Sequence, residues 1–448
     1  MTDSDRLAPR VPGALCRLGW AVTLIVSLAA VGVTASTATT GSGGRSAITP
    51  ELAAPPGFAL GVTHTMDSAD AGGVPAAVAK AKSVLAASVT FQNQHVMGWG
   101  ALNPNPSPGV YDWSSLDQRM NLIRSSGGTP VITLCCAPDW MKGGASGATD
   151  WSRLEVAPTP DHYGDFADLA AAVALRYPDV RYFQVWNELK GFWNESENRW
   201  DYEGYTALYN EVYDRLKAVS PAVQVGGPYV VVDSGSDRDA LSYPSDVGGS
   251  WGVLDQRPLD VLRYWLVHAH GADFVSVDTA VRDIDAARVD PVPAGEKLTA
   301  VARWVRGLTS LPLWFSEFYV MDPQTSRNDQ RAAALVALAQ LRMIEGGADV
   351  SLLWEPQQGP GAAFPGLFTD TRSPGGGRAL PLAAAYRELA RAFPGASAAS
   401  VSWPMPAVGQ LRGSAADVFV NASADPATIL SDGVRTLRPW QVVAVPHR

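Results

Sequence analysis

Two carboxylates in the sequence follow apolar runs, at positions from which they could act together on one bond. Glu188 follows the segment FQVWN at 183–187, and Glu317 follows LWFS at 313–316. Their separation of 129 residues matches three strand–helix units of an alternating fold. Cleaving a glycosidic bond needs two carboxyl groups, one protonated to donate to the leaving oxygen and one ionised. The pair therefore predicts this chemistry, provided that the fold brings the two strand ends together.

The elements that would position this pair are indicated by the pattern of apolar runs. Eight runs rich in Val, Ile and Phe are largely apolar instead of alternating, as strands covered on both faces are; they lie at 58–63, 87–92, 130–136, 181–187, 223–227, 273–277, 312–317 and 349–354. Amphipathic segments predict helices at 114–126, 162–176, 203–219, 258–270, 295–307 and 328–346. This alternation predicts the α/β class and a (β/α)8 TIM barrel, with a doubly wound open sheet as the competing architecture. The fourth and seventh strands of such a barrel face each other across its mouth.

The two ends of the chain differ from this middle part. Residues 1–36 carry Arg6, Arg10 and Arg17 ahead of the apolar run 20–33, which is the order of a signal peptide or of an uncleaved membrane anchor. Either alternative places the body outside the cytoplasm, and the Arg-, Ala- and Gly-rich composition is typical of a bacterial protein. Residues 37–56 are predicted to be a linker and 57–394 the barrel. Short β-like runs predict a small β-rich accessory module over 395–448.

The composition argues against several classes of function. The 44 acidic residues outnumber the 35 Lys and Arg, and no basic run occurs, which argues against a nucleic-acid partner. The three cysteines lack the spacing of a zinc or iron–sulfur site, and we expect neither a metal nor a cofactor. Cys135 and Cys136 are predicted not to pair with each other, because neighbours on a strand point to opposite faces. His268 and His270 lie at a predicted helix end, and we expect both to be structural.

The two strand ends carry a resemblance to a known group of enzymes. WNE at 186–188 together with SEF at 316–318 resembles clan A glycoside hydrolases. Within the clan, the chain is most similar to family 39, which includes β-xylosidases, α-iduronidases and bacterial exopolysaccharide endoglycosidases. Supporting pieces lie within 58–393: GVTH at 61–64, YDW at 111–113, PDW at 138–140, FW at 192–193 and WE at 354–355. The resemblance implies that Glu188 is the acid/base, that Glu317 is the nucleophile, and that Asn187 hydrogen-bonds the sugar 2-hydroxyl.

Three features depart from the family pattern. Pro commonly follows the Asn-Glu pair in this clan, whereas Leu189 and Lys190 follow it here. The sixth strand of family 39 often ends in a turn with His, but this chain has VDTA at 277–280. The tyrosine that supports the nucleophile in the family is not evident there. These departures leave both carboxylates in place and concern the part of the site that selects the sugar.

Further candidate substrate-binding residues lie next to predicted strand ends, and each has a second interpretation. Trp354 is expected to form the floor of a sugar subsite, with core packing as the alternative. Trp140 and Trp193 could be sugar platforms or loop packing, and His64 could bind a hydroxyl or be structural. Asp278 could replace a substrate-binding polar group or orient Arg282. Glu355 competes with Glu317 as a strand-end acid, but its position favours a sugar or loop contact.

The sequence as a whole predicts an exported retaining glycoside hydrolase that acts on an oligo- or polysaccharide of the cell wall or extracellular space. Membrane contact is expected only through the N-terminal segment, should it remain uncleaved. Two alternatives stay open at this point. One is a catalytically idle carbohydrate-binding protein on a hydrolase scaffold, since fold does not imply activity. The other is a transglycosidase, which would share the same carboxylates and differ in its acceptor subsites.

Overall fold

The computed structural model describes residues 57–286, 290–320, 322, 329–359, 364–393, 400–430 and 433–447. The signal peptide or anchor predicted for 1–36 and the linker predicted for 37–56 lie outside these ranges. No helix within the described ranges is both long enough and apolar enough to span a membrane.

Eight parallel strands close into a barrel. They are β1 (Ala59–Thr63), β2 (Phe91–His95), β3 (Thr129–Leu134), β4 (Tyr182–Val185), β5 (Gln224–Val231), β6 (Phe274–Ala280), β7 (Leu313–Tyr319) and β8 (Val350–Trp354). Each strand pairs with its sequence neighbours, and β8 pairs with β1 to complete the ring. The predicted (β/α)8 barrel is therefore confirmed, and the open-sheet alternative is excluded, because an open sheet would leave two edges unpaired.

Within the described ranges, a short helix lies at Pro291–Ala294, and eight α-helices have ten or more residues. They are α1 (Pro75–Ser88), α2 (Ser114–Ser125), α3 (Tyr163–Arg176), α4 (Tyr202–Val219), α5 (Gln256–His268), α6 (Glu296–Arg306), α7 (Gln330–Gly346) and α8 (Pro381–Ala390). Side-chain caps fix several of their starts: Asp201, Asp255 and Asp329 accept hydrogen bonds from backbone N–H groups in the first turns of α4, α5 and α7. Such caps satisfy donors that have no partner inside a helix.

The barrel interior has an apolar layer near the amino ends of the strands. It consists of Phe91, Val131, Phe274, Trp314, Val350 and Leu352, all buried. Phe274 stacks on Trp314 with ring centroids 4.3 Å apart. A packed layer of this kind closes the barrel and leaves the opposite end, where the strands finish, as the open mouth.

A belt of polar side chains lies above this layer. Asn93 donates to Thr63 Oγ1 over 3.1 Å, and Thr133 Oγ1 donates to Asn93 Oδ1 over 2.9 Å. Gln184 Nε2 donates to Thr133 Oγ1 over 3.0 Å, and Ser316 Oγ donates to Gln184 Oε1. This polar belt links β1, β2, β3, β4 and β7, so it couples the strand that precedes Glu188 to the strand that carries Glu317.

The second strand is a correction to the sequence prediction, which placed it at 87–92. Ala87 and Ser88 belong to α1, and β2 begins only at Phe91. The residues that follow Phe91 are polar (QNQH) but buried, and Gln92 and Asn93 hydrogen-bond to side chains inside the fold. A criterion based on apolar runs could not recognise such a strand.

The pair Cys135–Cys136 is a second correction. The two cysteines form a disulfide across a cis peptide bond. They come directly after β3, which ends at Leu134, so the alternation of side chains along a strand does not apply to them. The cis bond brings their Cα atoms to 2.9 Å, and both sulfurs lie on one side of the chain.

The C-terminal part contains the predicted β-rich segment. Strands β9 (Ser400–Met405), β10 (Val408–Arg412), β11 (Ala416–Asn421) and β14 (Val442–Pro446) form an antiparallel sheet, and β12 (Ala427–Leu430) pairs with β13 (Val434–Leu437). The sheet packs on α7 and α8: the guanidinium of Arg342 lies 3.6 Å from the ring centroid of Trp403, and the backbone N–H of Ala444 donates to Glu388. The predicted boundary at 394/395 lies outside the described residues.

Candidate active site

Three carboxylates meet at the carboxyl ends of β4, β6 and β7. One oxygen each from Glu188, Asp278 and Glu317 lies within 4.8 Å of the other two. Asp278 and Glu317 are almost fully buried, while Glu188 is partly exposed. We call these residues the carboxylate cluster. The sequence predicted the positions of Glu188 and Glu317 at opposite strand ends, and the structure brings both together with a third acid that was expected only to contact substrate.

Glu317 is held by two phenol groups. Tyr229 donates its hydroxyl proton to Oε1 over 2.6 Å, and Tyr319 donates to Oε2. Burial, and then the charge of Glu188, raise the pKa of Glu317 to about 8, whereas the two phenol donors act in the opposite direction. A carboxylate with a donor on each oxygen is fixed in orientation, and its ionised form is the one that these donors stabilise.

Two β-bulges direct these side chains into the mouth. In β7, the register with β6 shifts so that Ser316 has no partner and Glu317 pairs with Asp278. In β5, the register shifts in the same way at Tyr229, which has a positive φ of 56°. A bulge re-aims the residues that follow it, and left-handed backbone is uncommon outside glycine. Both bulges therefore serve the contact between Tyr229 and Glu317.

Glu188 lies in a tight turn directly after β4. Trp186, Glu188 and Leu189 all have positive φ values, of 70°, 51° and 49°. The turn is closed by the indole N–H of Trp186, which donates to the carbonyl of Lys190 over 2.8 Å. The Lys190 ammonium lies 3.1 Å from Glu188 Oε2 and 2.6 Å from Glu155 Oε1. Leu189, directly after the Asn-Glu pair, is buried, and the cation beside Glu188 is Lys190.

Asp278 lies between the two glutamates. Only 2% of the residue is exposed, and its Oδ1 has no hydrogen-bond partner among the described residues. Burial, followed by the charges of Glu317 and Glu188, raises the pKa of Asp278 well above its usual range. Because the three carboxyls are so close, their protons belong to the cluster as a group. Arg282, which was predicted as a possible partner of Asp278, is an exposed residue.

A lysine and two further acids lie behind Asp278. Lys297, in the first turn of α6, is 1% exposed, and its Nζ has no hydrogen-bond partner among the described residues. Burial lowers its pKa, while Asp233, Asp283 and Asp278 act in the opposite direction. Burial also raises the pKa of Asp233 to about 6. The charge of Lys297 offsets part of the negative charge that the mouth collects.

Asn187 and three aromatic side chains border the carboxylate cluster. We call these three residues, His95, Trp99 and Trp354, the aromatic wall. Asn187 is buried, and its Oδ1 has no hydrogen-bond partner among the described residues, so it is available to a substrate hydroxyl. The ring of His95 lies 4.6 Å from that of Trp99 and 6.0 Å from that of Trp354. Burial lowers the pKa of His95 to about 3, which keeps its imidazole neutral. Trp354 is the last residue of β8, as predicted, and its role at the floor of a sugar subsite stays a prediction.

Other predicted site residues make contacts typical of structural roles. His64 is buried, and its Nε2 lies 2.9 Å from Gln92 Oε1. The indole N–H of Trp140 donates to the carbonyl of Asn105 within the loops. Trp193 packs edge-on against Trp200 in a short strand pair. Glu355 follows β8 with a positive φ of 59°, and its backbone N–H donates to the carbonyl of Thr63.

Sequence reasoning missed the two tyrosines that hold Glu317 and the lysine behind Asp278. Tyr319 could have been found, because it lies two residues beyond Glu317 on the same strand and so on the same face. Tyr229 lies at the end of the fifth strand, but its orientation depends on the bulge, for which the sequence gives no signal. Lys297 reads as an ordinary surface residue at the start of a helix.

The carboxylate cluster is also the group of described residues whose oxygen atoms could together hold a metal ion. Carboxylate oxygens suit hard cations such as Ca²⁺ and Mg²⁺. However, both oxygens of Glu317 already accept from phenol groups, and Glu188 faces an ammonium. These contacts are better suited to carboxyl chemistry than to a coordination shell of six or more oxygens.

The chain was compared with known proteins and solved structures. No protein-family model matches it, and no curated protein sequence matches it. A β-xylosidase from Caulobacter crescentus CB15 is 20% identical, over 85% of this chain and 75% of its own, with a TM-score of 0.54. A family 39 glycoside hydrolase from Bacteroides cellulosilyticus WH2 is 13% identical over 88% of this chain and 81% of its own, with a TM-score of 0.56. SrfJ from Salmonella typhimurium is 14% identical over 88% of this chain and 91% of its own, with a TM-score of 0.62.

These likenesses show the fold. At such low identities the catalytic properties of the solved proteins do not transfer to this chain. The matched structures do include a member of the family that the sequence motifs resemble, so the predicted resemblance is confirmed at the level of the fold.

Proposed function

We propose that this protein is a retaining glycoside hydrolase that cleaves an extracellular or cell-wall glycan. The observation that carries the proposal is the arrangement of Glu188 and Glu317. They lie at the ends of opposite barrel strands within 4.8 Å of each other, and their surroundings differ. Glu317 is buried and accepts two phenol hydrogen bonds, whereas Glu188 is partly exposed, toward the side from which a leaving group would depart.

The spacing favours retention of configuration. Retaining enzymes hold their two carboxyl groups about 5–5.5 Å apart, while inverting enzymes leave about 6.5–9.5 Å to admit a water molecule. The nearest oxygens of Glu188 and Glu317 lie within 4.8 Å of each other, which is below the separation that inverting enzymes use. Direct attack by one carboxylate on the sugar is therefore the favoured route.

The reaction then has two steps. Glu317 attacks the anomeric carbon, and its bond to that carbon forms as the glycosidic bond breaks. Glu188 gives its proton to the departing oxygen. In the second step Glu188 takes a proton from water, which attacks the same carbon and releases Glu317. Asn187 is placed to accept a hydrogen bond from a sugar hydroxyl beside the reacting carbon.

The aromatic wall favours a carbohydrate as the class of ligand. Trp99 and Trp354 lie with ring centroids 6.4 Å apart at nearly a right angle, and the ring of His95 contacts both. Aromatic rings supply apolar faces at little cost in conformational entropy, and sugar rings present C–H faces to them. Export of the protein, as predicted from residues 1–36, would place it with polymers of the cell envelope or its surroundings.

A panel of aryl glycosides and polysaccharides tests this proposal, with Glu317→Gln and Glu188→Gln run beside the wild type. We expect Glu317→Gln to lose at least about 1,000-fold in kcat/KM on every substrate, and Glu188→Gln to do so on substrates whose leaving group must be protonated, since each removes a group that acts in the transition state. Glu211→Gln, on the exposed face of α4, is the matched control and should keep full activity. Proton NMR of the first-formed product should show the anomeric configuration of the substrate. Hydrolysis that persists in Glu317→Gln, or an inverted product, would contradict the proposal.

A further inference from the structure

We propose that Asp278 shares a proton with Glu188 and is a positioning residue for the acid/base step. This inference deepens the function proposed above and depends on it for its catalytic meaning. The shared proton itself is a property of the folded protein and can be measured without any substrate.

The contacts of the three acids indicate which of them holds a proton. Glu317 receives a phenol donor on each oxygen, so it is best suited to be ionised. Glu188 faces the Lys190 ammonium at 3.1 Å. Asp278 Oδ1 has neither kind of partner among the described residues, although the residue is 2% exposed. A buried carboxylate without donors is unfavourable, whereas a protonated one becomes a donor itself. Its neighbour Glu188 is within hydrogen-bonding reach and is the acceptor.

The charged and titratable groups around Asp278 support this assignment. Burial raises its pKa most, then the charges of Glu317 on β7 and Glu188 after β4, with Asp233 after β5 adding to them. Lys297 on α6 is the cation on this side, and its own pKa is lowered by burial. The phenols Tyr229 and Tyr319 have strongly raised pKa values and stay neutral. The balance therefore favours the protonated form of Asp278.

The first reaction step leaves the total charge of the carboxylate cluster unchanged. Before the step, Glu317 is negative, and the pair Asp278–Glu188 carries one proton and one negative charge. As substrate binds, the proton moves to Glu188 and from there to the departing oxygen, while Glu317 becomes a neutral ester. The pair then carries two negative charges, so the cluster's total is unchanged. Water returns one proton to the pair when it attacks the ester. A buried site benefits from this, because adding a net charge in low dielectric is costly.

Asp278→Asn tests the inference by activity, using phenyl and 2,4-dinitrophenyl glycosides of the sugar that the wild type cleaves. Asn keeps the shape but cannot pass a proton. We expect kcat/KM for the phenyl glycoside to fall about tenfold or more, and the 2,4-dinitrophenyl glycoside, whose leaving group needs no proton, to be nearly unaffected. The alkaline limb of the pH profile should move to lower pH by about one unit or more, because the pair loses the second carboxylate that retains its proton. A merely structural role would lower both rates alike and leave the limb in place, and that result would overturn the proposal.

Infrared spectroscopy tests the same proton without substrate. The wild type at neutral pH should show the C=O band of a buried protonated carboxyl, and Asp278→Asn should lose intensity in that band. Asp283→Asn is the matched control, since Asp283 is a buried acid after the same strand but accepts from Ser234 Oγ over 2.6 Å outside the cluster. An unchanged band in Asp278→Asn would overturn the inference, even if Glu317→Gln abolishes activity. Conversely, loss of the band in a protein that cleaves no glycoside would uphold the shared proton and contradict only the proposed function.

Discussion

The two phenols that hold Glu317 set the conditions under which this residue can act. Tyr229 and Tyr319 donate to separate oxygens of the carboxylate, so each lowers the free energy of its ionised form relative to the protonated form. Burial and the charge of Glu188 push the pKa of Glu317 upward, to about 8. A nucleophile must be ionised to attack, so activity on the acid side depends on these two donors.

Removing either donor should therefore shift the acid side of the pH profile. In Tyr229→Phe, the pKa of Glu317 rises further, so the acidic limb of kcat/KM moves to higher pH. A hydrogen bond to a charged group contributes about 1.5–3 kcal/mol, which corresponds to a loss of about 10- to 100-fold below that limb. We expect the acidic limb of Tyr319→Phe to move to higher pH in the same way. Tyr386→Phe, a buried tyrosine on α8 that accepts from Gln340, should leave the limb in place. If the acidic limb of Tyr229→Phe lies at the same pH as that of the wild type, the proposed role of the Tyr229 phenol is wrong.

At the scale of the elements, the polar belt beneath the mouth links the strands that carry the cluster. Gln184 on β4 accepts from Ser316 on β7 and donates to Thr133 on β3. Ser316 is the bulged residue directly before Glu317, so the position of the nucleophile depends on a hydrogen bond from the opposite side of the barrel. A second glutamine, Gln340 on α7, makes two similar bonds outside the barrel, to Ser351 and Tyr386.

These two glutamines form a matched pair for mutation. Gln184→Leu and Gln340→Leu each leave buried polar partners unsatisfied, at about 1–3 kcal/mol for each group, and both should lower the thermal midpoint by several degrees. Only Gln184→Leu should also lower kcat at a temperature where both variants are fully folded, because only it frees Ser316. Circular dichroism melts and steady-state kinetics make the comparison. Equal kcat values in the two variants would show that the polar belt serves stability alone.

The same elements show what the sequence could and could not predict. The strands before Glu188 and Glu317 were recognised because they are continuous apolar runs that end in a polar residue, and helical periodicity located the helices between them. The strand at 91–95 was displaced in the prediction, since its side chains after Phe91 are polar, and Gln92 and Asn93 bond to partners distant in sequence. The bulges at Ser316 and Tyr229 and the pairing of Cys135 with Cys136 likewise depend on tertiary contacts. The acids of the site were therefore predictable, but the groups that tune them were not.

At the scale of the whole molecule, the barrel gathers more negative charge at its mouth than the adjacent cations balance. Glu188, Asp278 and Glu317 come from three strands, and the nearby ammonium groups are those of Lys190 and Lys297. The C-terminal sheet packs on α7 and α8, the helices that follow β7 and β8, and so supports the side of the barrel from which Glu317 projects. Functional sites commonly hold such unfavourable groups at a cost in stability that the rest of the fold offsets.

This cost should appear as a dependence of stability on pH. The pKa values of Glu317 and Asp278 are raised, that of Glu317 to about 8, so up to that pH the folded carboxylate cluster keeps a proton that the unfolded chain has released. The contribution of this proton to stability is therefore full below about pH 4.5 and is lost as the pH rises toward 8. Asp233 and Asp278, with raised pKa values, act in the same direction, while His64 and His95, with lowered values, act in the opposite one. All four remain in Glu317→Gln, so the difference between that variant and the wild type isolates Glu317. We expect the thermal midpoint of Glu317→Gln to gain on the wild type steadily from pH 5 to pH 8, while Glu211→Gln runs parallel to the wild type. Parallel curves for Glu317→Gln would mean that the charge of Glu317 does not affect the proton that the carboxylate cluster retains.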